Sequence, residues 1–154
     1  MLQKVTVGRW SLDAYDGLAP DPVMQELREH AHTLKGARIL HINATAYGGG
    51  VSELLRSCVP LLHDLGLTVD WEVISGRQDF FRATKALHNG LQGAPQTLSE
   101  ADRGAFLDCA RENAQALDGS YDFIVVHDLP ARRAADASRQ GRRPLGLAVS
   151  HRHI

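Results

Sequence analysis

The sequence predicts an α/β fold, a parallel sheet with flanking helices, and two observations lead to that prediction. Short apolar segments, clearest at 37–43 and 122–126, alternate with longer segments whose apolar residues recur at helical spacing. Gly or Pro stands at most of the boundaries between them. A helix that joins two strands lets them pair in parallel by a right-handed crossover, so this alternation indicates a parallel sheet.

The elements follow in order from local signals. Residues 1–20 carry weak signals and are interpreted as an N-terminal extension, with one candidate strand at Lys4–Val7. Asp21 is a good N-cap and Pro22 suits the first helical turn, so a helix is expected to begin there and to end near Gly36. The further predicted elements are a strand at 37–43, a helix at 51–65, a strand at 67–74, helices at 79–91 and 99–117, and a strand at 122–126.

Composition narrows the class of protein. The chain has 154 residues, 44% of them hydrophobic and 23% charged, which is typical of one soluble globular domain. A formal charge of −1 argues against a dedicated nucleic-acid binder, and the sequence has neither an apolar run of membrane-spanning length nor a signal peptide. Cys58 and Cys109 form neither a metal motif nor a disulfide framework, so a cytoplasmic location without a metal site is expected.

Two polar clusters come where predicted strands end, and ligands of parallel sheets bind outside those carboxyl ends. In the first, Gly48, Gly49 and Gly50 expose backbone N–H groups at a helix N-terminus, which favours a phosphate or diphosphate; the alternative is a tight turn in which Glu53 only complements the helix dipole. The pattern is neither G-x-G-x-x-G nor a phosphate-binding loop with Lys-Ser/Thr, so a dinucleotide site is disfavoured.

The second cluster is His127-Asp128, which can orient a sugar hydroxyl or act near a reacting oxygen, or can be only a hydrogen-bonded loop start. Lys85, His88 and Asn89 lie on one side of a predicted helix and otherwise read as a solvated face. The remaining histidines considered lack metal-ligand spacing and are interpreted as structural or exposed: His30, His32, His41 and His63.

The segment Ile39–Leu55, which contains the three glycines, resembles the opening of trehalose synthases and trehalose phosphorylases of the retaining GT-B glycosyltransferase type. The resemblance covers about residues 21–128. Further motifs that carry it are Val59–Leu62, Asp79–Phe81, Thr84–Ala86, His88-Asn89, Leu91–Gly93 and Val125–Asp128.

The resemblance implies that 21–128 is part of a Rossmann-like N-terminal domain that receives the acceptor glucose, while a separate domain holds the nucleotide-glucose donor. It implies that Gly48, Gly49 and Gly50 face the donor diphosphate, that Glu53 helps fix the turn, and that His127 and Asp128 act at the reacting sugar. Lys85, His88 and Asn89 are implied to bind substrate. The nucleotide-glucose is a co-substrate, no further cofactor is implied, and the full-length enzyme is a candidate homodimer.

Residues 129–154 depart from that family. Six of the 17 basic residues but one of the 18 acidic residues lie there, which gives this tail a formal charge of +5 against −6 for the first 128 residues. Codons that encode Pro144–His153 permit, when read one base later, the family motif Trp-Val-Trp-Arg-Cys-His-Ile-Asp, and the same shift over Leu129–Ala134 permits Gln-Pro-Ala-Ala-Leu. We therefore interpret 129–154 as an aberrant, frameshifted tail; the alternative is a genuine basic tail.

The function expected from the sequence is the N-terminal part of a trehalose synthase that transfers glucose from a nucleotide-glucose to glucose. The chain ends before a donor domain, so negligible catalysis by the 154 residues alone is expected. Three alternatives stay open: part of a trehalose phosphorylase, a stand-alone phosphate- or nucleotide-binding module, and a non-catalytic protein whose basic tail binds an acidic partner.

Overall fold

The computed structural model describes residues 2–117 and 120–127, and the backbone of 146–149. The elements, in chain order, are β1 (Gln3–Lys4), a 3-10 turn (Leu12–Tyr15), α1 (Asp21–Thr33), β2 (Arg38–Asn43), α2 (Gly50–Asp64), β3 (Thr68–Val73), α3 (Gln78–Leu91), α4 (Glu100–Ala116), β4 (Phe123–Val126) and β5 (Gly146–Val149).

The strands form one open sheet in the order β1-β3-β2-β4-β5. β3, β2, β4 and β5 are parallel to their neighbours, and β1 pairs antiparallel with β3. Asn43 lies opposite Val73 and Ile42 lies opposite Val126, so β2, β3 and β4 end at one edge of the sheet. The predicted α/β class, with a Rossmann-like sheet and flanking helices, is thus confirmed.

Hydrophobic cores lie on both faces of the sheet, because successive side chains of β2 point to opposite faces. Leu40 and Ile42 pack with Phe80 of α3 and Cys109 of α4 on one face. On the other face, Ile39 packs with a group of α2 and β3 side chains that includes Leu55, Val59 and Trp71. Helices on both sides therefore fix the position of β2, the strand from which the glycine segment leaves.

Several local predictions need correction. β1 begins one residue earlier than the predicted strand and ends at Lys4, and its pairing makes part of the N-terminal extension an edge of the sheet. Pro20, not Asp21, is the N-cap of α1, so this helix begins without a side-chain cap. The spacing of apolar residues in the predicted helix 51–65 assigns Leu54 to its buried side, but Leu54 is 57% exposed.

The tail contributes β5, a strand that the sequence did not predict. Gly146–Val149 pairs in parallel with β4 and extends the sheet by one strand. The rest of the predicted tail lies outside the described residues.

None of the helices that the structure describes combines the length and the apolar character needed to cross a membrane.

Candidate functional site

Three chain segments meet at the carboxyl edge of the sheet, where β2, β3 and β4 end. The backbone N–H of Ile74, just after β3, donates to the carbonyl of Asn43 at 3.0 Å. The N–H of His127, just after β4, donates to the carbonyl of Ile42, also at 3.0 Å. The polar end of β2 is therefore held between the segments that follow its two neighbouring strands.

The glycine segment leaves this edge and enters α2 with an exposed backbone. Gly48 and Gly49 have φ values of +70° and +98°, which an L side chain rarely adopts, and a Cβ on either, or on Gly50, would meet nothing within 4 Å. Among the described residues, the backbone N–H groups of Gly49, Gly50 and Val51 have no acceptor. The segment thus presents bare peptide donors at the positive end of a helix dipole, an arrangement suited to an anion.

Side chains of α2 hold the glycine segment in this shape. The buried Ser52 hydroxyl lies 2.9 Å from the Gly49 carbonyl and 3.1 Å from the Gly48 carbonyl, to which it can donate. Arg56, one turn further along, donates to the Ala46 carbonyl at 2.9 Å, and its guanidinium lies 4.4 Å from the centre of the Tyr47 ring. Side chains of α2 therefore fix the loop on its inner side, while the glycine backbone stays open on the outer side.

β2 and β3 fix the start of the same segment. The amide of the buried Asn43 accepts a hydrogen bond from the Trp71 indole at 2.7 Å and donates to the Thr45 carbonyl at 2.7 Å. The Thr45 hydroxyl in turn lies within 2.8 Å of the Tyr47 carbonyl. These bonds satisfy a buried amide and tie the first residues of the loop to the sheet.

Two histidine rings meet at neighbouring strands: His41 belongs to β2, and His127 directly follows β4. Nδ1 of His41 lies 2.8 Å from Nε2 of His127, and the ring centres are 5.2 Å apart with an interplanar angle of 18°. Burial, with a smaller contribution from His127, lowers the pKa of His41 to about 4. His41 is therefore neutral at pH 7, and one ring proton serves the contact between the two nitrogens.

The connection after β3 is closed. Asn113 of α4, fully buried, accepts from the Ser75 N–H at 3.3 Å and donates to the Ser75 carbonyl at 3.1 Å. A Cβ on Gly76 would lie 2.3 Å from the Phe80 ring, which is itself buried. α4 and Phe80 thus lock this part of the edge by packing.

The structure brings some predicted site residues together and places others elsewhere. Gly48, Gly49 and Gly50 are exposed in the loop, Glu53 is exposed in the first turn of α2, and His127 lies at the end of β4. In the second half of α3, Lys85 and His88 are exposed and Asn89 is half-buried. The hydrogen bonds described for His127 join it to His41 and Ile42 of β2 and not to these three residues. Asp128 lies outside the described residues.

Sequence reasoning missed three residues that shape the site: His41, Arg56 and Asn113. His41 was interpreted as structural or exposed because its partner is 86 positions away and becomes visible only through the β2–β4 register. Arg56 has no local sequence signal of its partner, the Ala46 carbonyl, and Asn113 sits among apolar positions of α4. A buried amide on a helix face is the one signal that could have identified Asn113.

Among the described residues, no group of three or more His, Cys, Asp or Glu side chains could hold a metal ion. The donors that this edge offers a ligand are backbone amides and imidazole nitrogens, and these suit phosphate and hydroxyl oxygens.

Comparison with known proteins identifies the family of the chain. Residues 41–153 match the family model described as trehalose synthase, N-terminal domain. Over 131 residues the chain is 45% identical to the trehalose synthase of Rubrobacter xylanophilus, which covers 83% of this chain and 32% of that protein. It is 37% identical over 129 residues to the trehalose synthase of Pyrococcus horikoshii, with 82% of this chain and 31% of that protein covered.

A more distant relative is the trehalose phosphorylase of Pleurotus sajor-caju, 30% identical over 136 residues, with 81% of this chain and 17% of that protein covered. The chain spans about a third of the length of the two synthases it matches. The family match begins at His41, inside β2, and includes the glycine loop and His127. The chain belongs to the trehalose synthase N-terminal domain family.

Proposed function

We propose that this chain is the acceptor-side part of a retaining glycosyltransferase that transfers glucose from a nucleotide-glucose to a second glucose, giving trehalose. The observation that carries the proposal is the open glycine loop, which lies at the same sheet edge as His127. Trehalose synthases that are 45% and 37% identical to this chain support the same assignment.

In this proposal the glycine loop faces the diphosphate of the donor. The N–H groups of Gly49, Gly50 and Val51 lie at the N-terminus of the 15-residue helix α2, where the dipole favours negative charge. A retaining transfer without a protein nucleophile depends on positioning and on stabilising the leaving diphosphate, and preorganised peptide donors do both. Ser52 and Arg56 act indirectly, because they hold the loop that carries these donors.

His127 and Asp128 are proposed to contact the reacting sugar. His127 is anchored through its backbone N–H to the Ile42 carbonyl, so its position at the edge of the sheet is fixed before a sugar arrives. Preorganisation of this kind lowers the cost of binding and of reaching the transition state. Glu53 complements the dipole of α2, and Lys85, His88 and Asn89 are proposed to meet substrate from the second half of α3.

The 154-residue chain alone is expected to catalyse negligible transfer. Trehalose synthases about three times as long match it along a third of their length, so a donor-side domain is the part needed to enclose both sugars. An assay of trehalose formation from ADP-glucose or UDP-glucose plus glucose tests this directly. Robust turnover by the isolated chain would contradict it.

A chimera tests the proposed reaction itself. Residues 2–127 of this chain would replace the matching part of the Rubrobacter xylanophilus trehalose synthase. We expect the chimera to form trehalose and its His127→Ala variant to lose most of that activity. Lys35→Ala, outside every predicted site, is the matched control and should keep it. A folded chimera that forms no trehalose, or an active His127→Ala variant, would contradict the proposal.

Phosphorolysis is the second candidate, favoured by the phosphorylase of Pleurotus sajor-caju. The same glycine loop could bind free phosphate in place of a diphosphate. The sharper test uses the complete protein that contains this chain, supplied with trehalose and phosphate. Release of glucose 1-phosphate without synthesis from nucleotide-glucose would identify a phosphorylase.

The tail is proposed to arise from a one-base shift near the codon of Leu129. The recovery of two family motifs in one alternative register supports it. Sequencing the coding DNA of residues 125–154 decides the matter: if no single-base change restores both motifs, the tail is genuine.

A further inference from the structure

One polar contact at the site has no role in the proposed function: the contact between the imidazoles of His41, in β2, and His127, directly after β4. His41 lies within β2, opposite Trp71 on one side and Val125 on the other. Its ring is buried, with 9% of the residue exposed. A polar ring among apolar strands is costly unless it is hydrogen-bonded, and His127 supplies that bond at 2.8 Å.

The contact occupies Nε2 of the His127 ring. Nδ1 of His41 and Nε2 of His127 share a single proton when both rings are neutral, so either nitrogen can be the donor. The tautomer decides which one donates, but in both arrangements Nε2 of His127 is occupied by His41.

The same contact fixes the orientation of the ring. The N–H of His127 donates to the Ile42 carbonyl, which holds its backbone at the edge of the sheet. The bond to His41 holds the far end of its imidazole, and the two rings lie 18° from parallel. With both ends fixed, neither side-chain torsion of His127 is free to change without breaking a hydrogen bond.

We propose that His41 is a positioning residue for His127: it occupies Nε2 and so sets the plane and orientation in which the His127 ring meets the reacting sugar. The proposal rests on the proposed function, in which His127 contacts that sugar. His41 itself does not touch substrate and acts through His127. In metal sites, a residue that does not bind the metal can orient a ligating histidine through a hydrogen bond in the same way.

The test is made on the 154-residue chain labelled with ¹⁵N at histidine, without any ligand. Long-range ¹H–¹⁵N correlation spectra at pH 7 assign the tautomer of each ring. We expect one proton between His41 and His127, seen as a ¹⁵N–¹⁵N coupling across the hydrogen bond. Absence of that coupling in the unmodified chain overturns the proposal, and this result does not depend on any variant.

Three variants separate positioning from simple stability. His41→Asn keeps a polar atom where Nδ1 was and should preserve the His127 tautomer, whereas His41→Phe removes it and should change the His127 ring ¹⁵N shifts. His63→Asn is the control: it removes an imidazole bonded to the Val69 carbonyl, away from this edge, and should leave His127 unchanged. Unchanged His127 shifts in a folded His41→Phe chain would also overturn the proposal.

These outcomes are distinguishable from failure of the proposed function. The coupling and the tautomers are properties of the unliganded chain, while trehalose synthesis is measured in the chimera. A confirmed His41–His127 bond with no trehalose from the chimera would reject the function and keep the pair. An active chimera without the bond would reject the pair and keep the function.

Discussion

Two connections that leave the same edge of the sheet place their glycines in opposite surroundings. After β2, Gly48, Gly49 and Gly50 lie in open space, and an added Cβ would meet nothing within 4 Å. After β3, an added Cβ on Gly76 would lie 2.3 Å from the Phe80 ring. The first connection is held from below by Ser52 and Arg56, and the second is closed by packing of α3 and α4.

The difference teaches how to distinguish a binding glycine from a packing glycine when both follow a strand. An open backbone that side chains brace from one side is ready to meet a ligand. A backbone covered by a buried ring is a packing contact, and its glycine makes room for that ring. The predictions below test this contrast, from the largest expected effect to the smallest.

Gly76→Ala should be the most destabilising change, by about 3 kcal/mol, because a methyl group there overlaps the buried Phe80 ring and forces the ring or the backbone to shift. Chemical denaturation followed by circular dichroism measures it. Gly90→Ala in α3 is the matched control: its Cβ would lie 3.7 Å from Gln96, and helix propensity predicts a gain of up to about 1 kcal/mol. Equal effects of the two changes would refute the assignment of Gly76 to packing.

Lowering the pH should reduce the free energy of unfolding through His41, which lies beside the open connection. Its pKa is about 4 in the folded chain, against about 6.5 when unfolded, so between these values the unfolded chain binds a proton that the folded chain does not. The free energy of unfolding should therefore fall by about 2–3 kcal/mol as the pH is lowered from 7 to 4. Denaturation at several pH values measures this slope.

A variant isolates the contribution of His41 to the pH dependence of the free energy of unfolding. His41→Asn should remove much of that slope relative to the unmodified chain. Asp70 acts at lower pH. Burial would raise its pKa, but hydrogen bonds from Lys4 and Tyr121, and the charges of Lys4 and Arg38, outweigh burial and lower it. Stability from Asp70 is present above about pH 4 and is lost as the pH falls below it. If the slope between pH 7 and pH 4 is unchanged in His41→Asn, the slope does not come from His41.

Asn113→Ala should cost about 2 kcal/mol, because it leaves the N–H and carbonyl of Ser75 without their buried partner. Amide hydrogen exchange should show the loss at Ser75 and Gly76 first. Gln115→Ala, an exposed change on the same helix, should alter stability little. If Asn113→Ala unfolds no more easily than Gln115→Ala, the closed connection does not depend on this clamp.

Much of the fold could be predicted from the sequence, because helix and strand periodicities depend on neighbouring residues. The predicted helix 99–117 is present as α4, which begins with a capping box of Ser99 and Asp102, a signal that lies within four neighbouring residues. β5 could not be predicted this way: Gly146–Val149 is four residues long, follows an Arg-rich stretch and is defined by its pairing with β4. The exposed Leu54 shows the same limit, since a helix face is buried only where another element covers it.

The candidate site was predictable in its backbone and not in its side-chain partners. Three consecutive glycines before a helix mark an open turn in any sequence, and the structure has one there. His41 was not recognised because a single histidine in an apolar strand has no local signal of a partner. Its role depends on the register that sets Ile42 opposite Val126 and so brings His127 to its ring.

The smallest stability effect separates the fold from the site most sharply. Gly49→Ala should cost about 1–2 kcal/mol because its φ of +98° strains an L residue, although nothing obstructs the methyl group. Gly50→Ala should cost nothing measurable, since Gly50 has no positive φ and begins a helix. Both methyl groups would nevertheless lie on the open face of the loop. In the chimera, both changes should reduce trehalose synthesis if a diphosphate approaches the bare backbone there. A Gly50→Ala chimera of full activity would show that the open glycines serve only the turn.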